Sequence, residues 1–554
     1  MTQTTETTGA PAGGSGEAQS TGATGVPAVD SAGVQSTEGA AVPSGPVHSI
    51  ESGDVPAVDS AGAQSTEGAG VPAAGSGGYP ELRLLIDGAW SAGAGGRTEP
   101  VLDPATGAVL GHVPLAEAAD LDRALAAADR GWRVWRDLPI EQRTAVLRKA
   151  AGLIHARAEE IGRAMTLEEG KPLGESVGEA HRAAGQLEWY AEEARRAYGR
   201  IIPSGPGEEL SVVRAPVGPV AAFVPWNFPA GGPMRKIAAA LAAGCSIIIK
   251  PSEETPASSV LMAECFQQAG LPAGVLNLVF GVPAEVSAHL IPSPVIQHVA
   301  FTGSIPVGKH LAGLAAAVMK PTTMELGGHA PVVVCEDTDP VAAAKACARG
   351  KYANSGQVCT SPSRFYVHES HYDAFVEAFV AASEAVRVGN GLEEGVAMGP
   401  MANARRREAV HELVEDARKR GARVLTGGEL PDGPGYYYPP TVLVDVPEDA
   451  RILHEEPFGP VAPILRFTDL DDALERANAL PYGLAAYGFT DRAAVADKLV
   501  RGFEAGILSI NHCGGSVPQA PSGGFKESGH GREGGAEGLD GYLVTKRVSH
   551  KLAV

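Results

Sequence analysis

The sequence Val217-Gly-Pro-Val-Ala-Ala-Phe-Val-Pro-Trp-Asn-Phe-Pro229 joins a short, uninterrupted apolar run to a turn bounded by prolines. Similar apolar runs follow it along the chain, at 246–250, 275–280, 299–301 and 331–334. Apolar strands that alternate with helices are typical of a parallel sheet covered on both faces. The pattern therefore predicts an α/β fold whose ligands lie at the carboxyl ends of the strands.

Three polar segments follow these strands and are predicted to face a ligand: Pro225–Pro229, Lys250–Glu253 and Thr302–Ser304. Gly303 and Gly308 flank a predicted helix start, where backbone N–H groups and the Ser304 hydroxyl suit a phosphate. However, a glycine turn between a strand and a helix is more often structural. The usual G-x-G-x-x-G fingerprint of dinucleotide sites also follows none of the strands. The residues alone therefore leave the ligand open.

Cys359 lies in the segment Lys351-Tyr-Ala-Asn-Ser-Gly-Gln-Val-Cys-Thr360. Gly356 permits close approach of the backbone to a ligand, and a backbone N–H beside the cysteine suits an oxyanion. A free cysteine is more often a small buried apolar residue, so this segment alone favours packing. What favours a nucleophile is the company of further motifs, which are Pro225–Pro229, Phe301-Thr-Gly-Ser304 with Gly308, Glu325-Leu-Gly-Gly328 and Glu456-Pro-Phe-Gly-Pro460.

Together these motifs resemble the aldehyde dehydrogenase superfamily, from about Leu82 to the C-terminus. The resemblance implies an α/β, aldehyde dehydrogenase-like fold. It consists of a variant Rossmann NAD-binding domain, an α/β catalytic domain and a small β oligomerisation segment. The implied variant fold lacks the usual glycine fingerprint, which removes the conflict noted above.

The resemblance also implies a role for each motif residue. Cys359 would be the nucleophile, Asn227 with the Cys359 N–H would hold the oxyanion, and Glu325 would be the general base for thioester hydrolysis. The implied cofactor residues are Lys250 and Glu253 at the adenosine ribose, Glu456 and Phe458 at the nicotinamide end, and Trp226, Gly303, Ser304 and Gly308. A carboxylate near the ribose 2′-oxygen repels a phosphate, so Glu253 favours NAD over NADP.

The segment Trp189–Gly199 is similar to the succinate-semialdehyde dehydrogenase subgroup, in which an arginine binds the distal carboxylate of the substrate. The resemblance implies this role for Arg196, and we also assign Arg235 to the substrate site. The subgroup's second arginine, six residues before the nucleophile, is Ala353 here. We therefore expect oxidation of succinate semialdehyde or of a larger acidic semialdehyde.

Three other functions stay open at this point. One is the oxidation of an amino- or guanidino-aldehyde. Another is a CoA-acylating reductase, which would not need the base Glu325. The last is a non-catalytic binding protein on the same fold.

The 554 residues suggest two or three structural units. A formal charge of −20 argues against a nucleic-acid or anionic-membrane partner. The six cysteines show neither C-x-x-C nor zinc spacing, which predicts a reduced cytoplasmic enzyme without a bound metal. We expect a homodimer or homotetramer whose partner is a small aldehyde.

The chain begins with a repetitive tail, residues 1–79, without lysine or arginine and with few large apolar residues, which is predicted to be disordered. The predicted domains are 80–198 with 217–326 for the cofactor, 327–527 for catalysis, and 199–216 with 528–554 for oligomerisation. Helical periodicity is predicted over 142–165 and roughly 174–198, and strand character over 542–548.

Overall fold

A computed structural model describes residues 78–515 and 517–552. The predicted disordered tail therefore lies almost entirely outside the described residues. Among the helices that are described, none is long and apolar enough to cross a membrane.

The strands of the described residues are β1 (Leu84–Ile86), β2 (Ala89–Ser91), β3 (Thr98–Leu102), β4 (Val109–Pro114), β5 (Arg200–Ile202), β6 (Glu208–Pro216), β7 (Val220–Phe223), β8 (Ile247–Lys250), β9 (Leu276–Leu278), β10 (His298–Gly303), β11 (Thr322–Leu326), β12 (Ala330–Val334), β13 (Pro362–His368), β14 (Arg423–Thr426), β15 (Thr441–Val444), β16 (Val461–Phe467), β17 (Tyr482–Gly483), β18 (Ala485–Phe489), β19 (Ile507–Ile510), β20 (Phe525–Lys526), β21 (Gly529–His530) and β22 (Leu543–Lys551).

The α-helices are α1 (Ala118–Asp137), α2 (Ile140–Ala156), α3 (Ala158–Glu169), α4 (Leu173–Glu193), α5 (Gly231–Ala243), α6 (Ala257–Ala269), α7 (Pro283–Leu290), α8 (Ile305–Ala316), α9 (Pro340–Tyr352), α10 (Tyr372–Glu384), α11 (Ala404–Arg420), α12 (Leu470–Asn478), α13 (Ala493–Gly502) and α14 (Glu537–Asp540).

The first large sheet has the order β2-β1-β9-β8-β7-β10-β11-β21. Its five central strands are parallel, and the short strands at both edges are antiparallel. From β7 the chain builds β8 and β9 on one side and later β10 and β11 on the other. The order therefore reverses between β7 and β10, and this switch point is where open α/β sheets bind ligands.

The second large sheet has the order β14-β15-β16-β13-β12-β18-β19 and is parallel except for β14. Its strand β12 begins only a few residues after β11 ends in the first sheet. The carboxyl edge of the first sheet consequently meets the amino edge of the second. The fold class predicted from the sequence is confirmed by this pair of sheets and by the solved structures described below.

A third, three-stranded sheet pairs β22 with β6 and β6 with β5, antiparallel throughout. Its strands lie in the predicted oligomerisation segments, and β22 contains most of the predicted strand 542–548. The same segment 528–554 also contributes β21, which pairs with β11 of the first sheet. The domain boundaries themselves stay a prediction.

One helix prediction was wrong in detail. The periodic stretch 142–165 forms two helices, α2 and α3, which meet at Arg157. Arg157 leaves helical geometry with a ψ of 15°, and its guanidinium binds Glu160 and Glu264. Neither glycine nor proline marks the break, because tertiary contacts of an ordinary arginine fix it.

Candidate active site

The loop that carries Cys359 begins at the end of α9 with strained backbone. Asn354 and Ser355 both have positive φ, 49° and 54°, and Gly356 follows at 73°. For residues other than glycine this conformation is costly and needs support from the surroundings. Ser355 Oγ donates to the Gly399 carbonyl at 2.9 Å, and a Cβ on Gly356 would lie 2.2 Å from the Gly459 oxygen. The glycine predicted to allow close approach therefore packs backbone against backbone.

Cys359 follows this strained turn and is partly exposed. Desolvation by the surrounding protein raises the pKa of its thiol to about 12; Glu456 and Glu325 act in the same direction, and Arg235 opposes them. The thiol is therefore protonated at neutral pH, and the thiolate is favoured by the cationic guanidinium of Arg235 and by a backbone hydrogen bond.

Asn227 lies in the turn after β7 and is buried. Its amide Nδ2 donates to the Gln357 carbonyl at 2.9 Å, two residues before the nucleophile. Since an amide nitrogen carries two hydrogens, one remains for another acceptor. The Asn227 carbonyl in turn accepts from Asn354 Nδ2 at 2.8 Å. Two hydrogen bonds therefore tie the turn after β7 to the nucleophile loop.

Glu325 lies on β11, paired with Thr302 on one side and Gly529 on the other. Its Oε1 is buried and has no hydrogen-bond partner among the described residues. Burial raises the pKa of Glu325 well above its ordinary value, Glu533 adds to this, and Lys236 is the first of the cations that oppose it. A desolvated carboxyl group with an unused oxygen is the chemistry that a general base requires.

A buried ionic network supports the turn after β7, which contacts the loop that carries Cys359. Lys171 Nζ donates to Glu179 Oε2 at 2.7 Å and to the Asn227 carbonyl at 2.9 Å. Glu179 Oε1 accepts from the Ala230 and Gly231 N–H groups, both at 2.9 Å. Burial alone would lower the pKa of Lys171, but Glu169 and Glu179 reverse the effect and the pKa is raised. The lysine is therefore charged where it holds the Asn227 backbone.

Glu456 connects the two sheets at the crossing from β11 to β12. Its Oε1 accepts from the Gly328 N–H at 3.0 Å, and a Cβ on Gly327 would lie 2.6 Å from Oε2. Desolvation raises the pKa of Glu456 to about 7, opposed by that hydrogen bond and by Arg406 and Lys351. Two residues later, Phe458 has a φ of 46° and packs edge-on against Trp226, with ring centroids 5.6 Å apart.

The carboxyl ends of β8 and β10 have the donor set that a dinucleotide needs. Lys250 ends β8 and pairs with Glu253, whose Oε1 also accepts from the Gly281 N–H at 3.2 Å. Ser304 begins α8 in extended conformation, and its side chain does not cap the first-turn N–H groups. An ammonium–carboxylate pair suits ribose hydroxyls, and an uncapped helix start suits a pyrophosphate. These residues fit NAD(P).

The two glycines of this region have packing reasons of their own. A Cβ on Gly308 would lie 2.3 Å from Leu326 Cδ2, because α8 packs closely on β11. A Cβ on Gly303 would lie 2.3 Å from the Phe301 ring. Their assignment as cofactor contacts stays a prediction.

The two candidate substrate arginines lie in different surroundings. Arg196, in the short 3-10 turn after α4, is about half exposed and binds the Glu192 carbonyl and Glu193 of its own turn. None of these partners belongs to the nucleophile loop. Arg235, on the first turns of α5, acts on both Cys359 and Glu325 and has its Nη1 3.8 Å from Glu533 Oε2. The surroundings of Arg235, unlike those of Arg196, therefore include the candidate nucleophile and the candidate base.

Two groups of buried charges at the site escaped the sequence analysis. Lys171 and Glu179 have no local pattern that marks them, since only the fold brings α3 and α4 behind the two loops. Lys236 binds Thr302 Oγ1 at 2.6 Å and forms an ion pair with Glu533, 297 residues away. The sequence signal that could have identified Lys236 is the pair of adjacent charged residues, Arg235-Lys236, on an otherwise apolar helix.

Comparisons with known proteins complete the description. The sequence model of the aldehyde dehydrogenase family matches residues 90–548. The 4-(hydroxymethyl)benzenesulfonate dehydrogenase of Comamonas testosteroni is 47% identical over 464 residues, 84% of this chain and 97% of the relative. The succinate-semialdehyde dehydrogenase of Escherichia coli K12, named as an NADP(+) enzyme, is 40% identical over 465 residues, 84% of this chain and 96% of the relative. The solved NAD+ complex of a Bacillus cereus aldehyde dehydrogenase has a TM-score of 0.84 at 35% identity, covering 86% of this chain and 97% of that chain.

Proposed function

The chain belongs to the aldehyde dehydrogenase family and is an NAD(P)-dependent enzyme, and from this premise we propose that it oxidises aldehydes with a distal anionic group to carboxylic acids. The observation that carries the proposal is that Arg235 and Glu325 are both close enough to Cys359 to act on the pKa of its thiol, so that a nucleophile, a base and a cation share one site.

In the first step, Cys359 Sγ adds to the aldehyde carbon and forms a thiohemiacetal. The remaining N–H of Asn227 Nδ2 and the Cys359 backbone N–H hold the developing oxyanion. NAD(P)+, when bound, supplies the hydride acceptor. The hydrogen bond from Asn227 to the Gln357 carbonyl fixes the amide relative to the thiol.

The second half of the reaction releases the acid. Glu325 removes a proton from a water molecule, which attacks the thioester carbon and frees Cys359. The desolvated Oε1, for which the described residues supply no hydrogen-bond partner, supports this role, since it leaves an acceptor for that water. A CoA-acylating reductase would have no use for such a base.

Substrate choice rests on the charge of Arg235. An anionic group within hydrogen-bond reach of its guanidinium gains a charge-assisted contact worth about 1.5–3 kcal/mol. The relatives are named as dehydrogenases of a benzenesulfonate and of succinate semialdehyde, and both of these compounds carry an anionic group. These names support an anionic substrate. Ala353 offers no second cation, so fewer charges bind the distal anionic group than in the succinate-semialdehyde dehydrogenase subgroup. We therefore propose that the substrate is larger than succinate semialdehyde. In this proposal Arg196, which is half exposed and bound to its own turn, does not bind the anionic group of the substrate.

For the cofactor we propose NAD in preference to NADP. The carboxylate of Glu253 hydrogen-bonds a ribose 2′-hydroxyl but repels a 2′-phosphate. The Lys250 ammonium is neutralised by the same carboxylate. Replacing Glu253 with Gln removes the repulsion, so the ratio of kcat/KM for NADP to that for NAD is expected to rise.

We also propose that the enzyme is a homo-oligomer built through its three-stranded sheet. Tyr198 and Ile201, at its edge, expose 74% and 78% of their surface. Strand β22 is exposed along nearly its whole length, which is unusual for nine residues of strand. Such a surface needs a partner to cover it. Light scattering of the purified protein distinguishes a monomer from a dimer or tetramer.

The substrate proposal is tested by NAD+ reduction across matched aldehydes of equal length that end in a carboxylate, a sulfonate, a methyl or an amine. The expected order of kcat/KM places both anions at least tenfold above the neutral aldehyde. Arg235→Gln should remove this preference, whereas Arg196→Gln should keep it. A wild-type preference for the amine would contradict the proposal and favour the amino-aldehyde alternative.

A further inference from the structure

Two cysteines outside the catalytic set lie with their sulfur atoms 3.8 Å apart, although 166 residues separate them in sequence. Cys347 is fully buried on α9, and Cys513, in the loop after β19, is partly exposed. Gly350, one helical turn after Cys347, marks how closely this loop approaches α9, since a Cβ there would lie 2.7 Å from Cys513 Cβ. The absence of a side chain at Gly350 is what lets Cys513 reach Cys347.

The pair adjoins the nucleophile segment without belonging to it. The same Cβ on Gly350 would lie 3.5 Å from Pro362 Cγ, three residues after Cys359. Helix α9 itself leads into the strained turn at Asn354 and Ser355. A bond between the two sulfurs would therefore link α9 covalently to the loop after β19, close to the segment that carries Cys359.

We propose that Cys347 and Cys513 are a redox-active dithiol that forms a reversible disulfide when the enzyme meets a peroxide. The partly exposed Cys513 thiol is oxidised by hydrogen peroxide to a sulfenic acid, and one water leaves. Cys347 Sγ then attacks this sulfur, the S–S bond forms and a second water leaves. In total the two thiols lose two electrons and two protons, which the O–O bond of the peroxide takes up.

The geometry requires only a short movement. The sulfur atoms must approach from 3.8 Å to a bond length of about 2.05 Å. Rotation about the Cα–Cβ bonds supplies movement of this size, and the loop that carries Cys513 continues through Gly514 and Gly515. A dithiol reductant reverses the bond by exchange.

The test uses the Cys359→Ser variant, so that oxidation of the nucleophile cannot interfere. The folded protein is treated with hydrogen peroxide, alkylated, digested without reductant and analysed by mass spectrometry. We expect a pair of peptides joined through Cys347 and Cys513, which is lost after dithiothreitol. A second change, Cys513→Ser, should abolish it, whereas Cys265→Ser, at a buried cysteine beside Arg157, should leave it intact.

Recovery of both residues as alkylated thiols, under conditions where Cys513 alone is seen to be oxidised in the Cys347→Ala variant, would overturn the proposal. So would a wild-type cross-link between Cys513 and Cys359 in place of Cys347.

Discussion

At the scale of single residues, Arg235 is the charged side chain that opposes burial and the two carboxylates acting on Cys359. Burial, Glu456 and Glu325 all raise the pKa of the thiol, and Arg235 lowers it. Below the pKa of about 12, the thiolate fraction rises about tenfold for each pH unit. The reactivity of Cys359 should therefore climb steadily with pH through the alkaline range.

Arg235→Gln should slow the alkylation of Cys359 by iodoacetamide. Loss of the cation raises the pKa of the thiol further, so less thiolate exists at any pH below it. At pH 9 we expect a rate about three- to tenfold below that of the wild-type protein. Mass spectrometry of the Cys359 peptide, in samples quenched at successive times, measures this rate.

The matched control is Arg196→Gln, which removes an arginine whose partners are Glu192 and Glu193 of its own turn. It should leave the alkylation rate unchanged. Equal effects of both substitutions, or faster alkylation in Arg235→Gln, would show that Arg235 does not act on the thiol.

The sequence singled out Cys359, Glu325 and Asn227 through motifs, because each lies in a short stretch with an unusual combination of residues, and their catalytic roles stay predictions. It could not choose between Arg196 and Arg235. Arg196 lies near the end of a predicted helix, and only the packing of α5 on β7 and β8 of the first sheet decides that the Arg235 guanidinium acts on the thiol. Roles inferred from the spacing around a motif are weaker than roles inferred from the motif itself.

At the scale of elements, Lys171, in the short segment between α3 and α4, holds the turn after β7, which in turn contacts the loop that carries Cys359. This lysine combines a charge partner, Glu179, with a backbone partner, the Asn227 carbonyl. Loss of one member of a buried ion pair leaves an uncompensated charge and is strongly destabilising.

Lys171→Met should lower the free energy of unfolding by about 3–5 kcal/mol. It should also lower kcat more than it changes KM, because the Asn227 carbonyl loses one of its two donors and the amide proposed to bind the oxyanion is held less firmly. Urea unfolding gives the first quantity and steady-state kinetics the second.

Lys320→Met is the control, since Lys320 also donates to backbone carbonyls, those of Ile291 and Ser293, but its pKa shows the effect of burial alone. We expect a smaller loss of stability and an unchanged kcat. If Lys171→Met keeps the wild-type kcat while losing stability, the network is structural only.

Elements in the first sheet were predictable because apolar strands such as β7 and β8 contrast with the turns around them. The junction at Arg157 was not, since its geometry depends on Glu264 of α6, 107 residues away. The sequence also placed ligands at the carboxyl ends of strands. This describes Lys250, but Cys359 and Glu456 precede β13 and β16 at their amino ends.

At the scale of the whole molecule, the candidate active site lies where the carboxyl edge of one sheet meets the amino edge of the other. Glu325 lies one residue before the end of β11, the last parallel strand of the first sheet, and Gly327 and Gly328 lead the chain into the second. A Cβ on Gly328 would lie 2.6 Å from the Cys359 carbonyl oxygen. No local sequence pattern shows that the two sheets join in this way. The proximity of Glu325 to Cys359 could therefore not be predicted without the fold.

Deletion of residues 1–78 should leave the melting temperature and kcat unchanged. The removed segment has almost no large apolar residues with which to pack. The cut also preserves Tyr79, whose hydroxyl binds Glu168. Thermal unfolding and initial rates of both forms provide the comparison, and a large loss of stability would show that the tail packs on the enzyme.

The central claim is that Cys359 forms a thioester which Glu325 then hydrolyses. It is tested most directly by mixing Glu325→Gln with NAD+ and an anionic aldehyde, and by following NADH while the intact protein is weighed by mass spectrometry. We predict a burst of about one NADH per active site, slow turnover afterwards, and an acyl adduct on the peptide that contains Cys359. The Cys359→Ala variant should show neither burst nor adduct. Steady turnover of Glu325→Gln at the wild-type rate, or a full burst without an adduct on Cys359, would contradict the account.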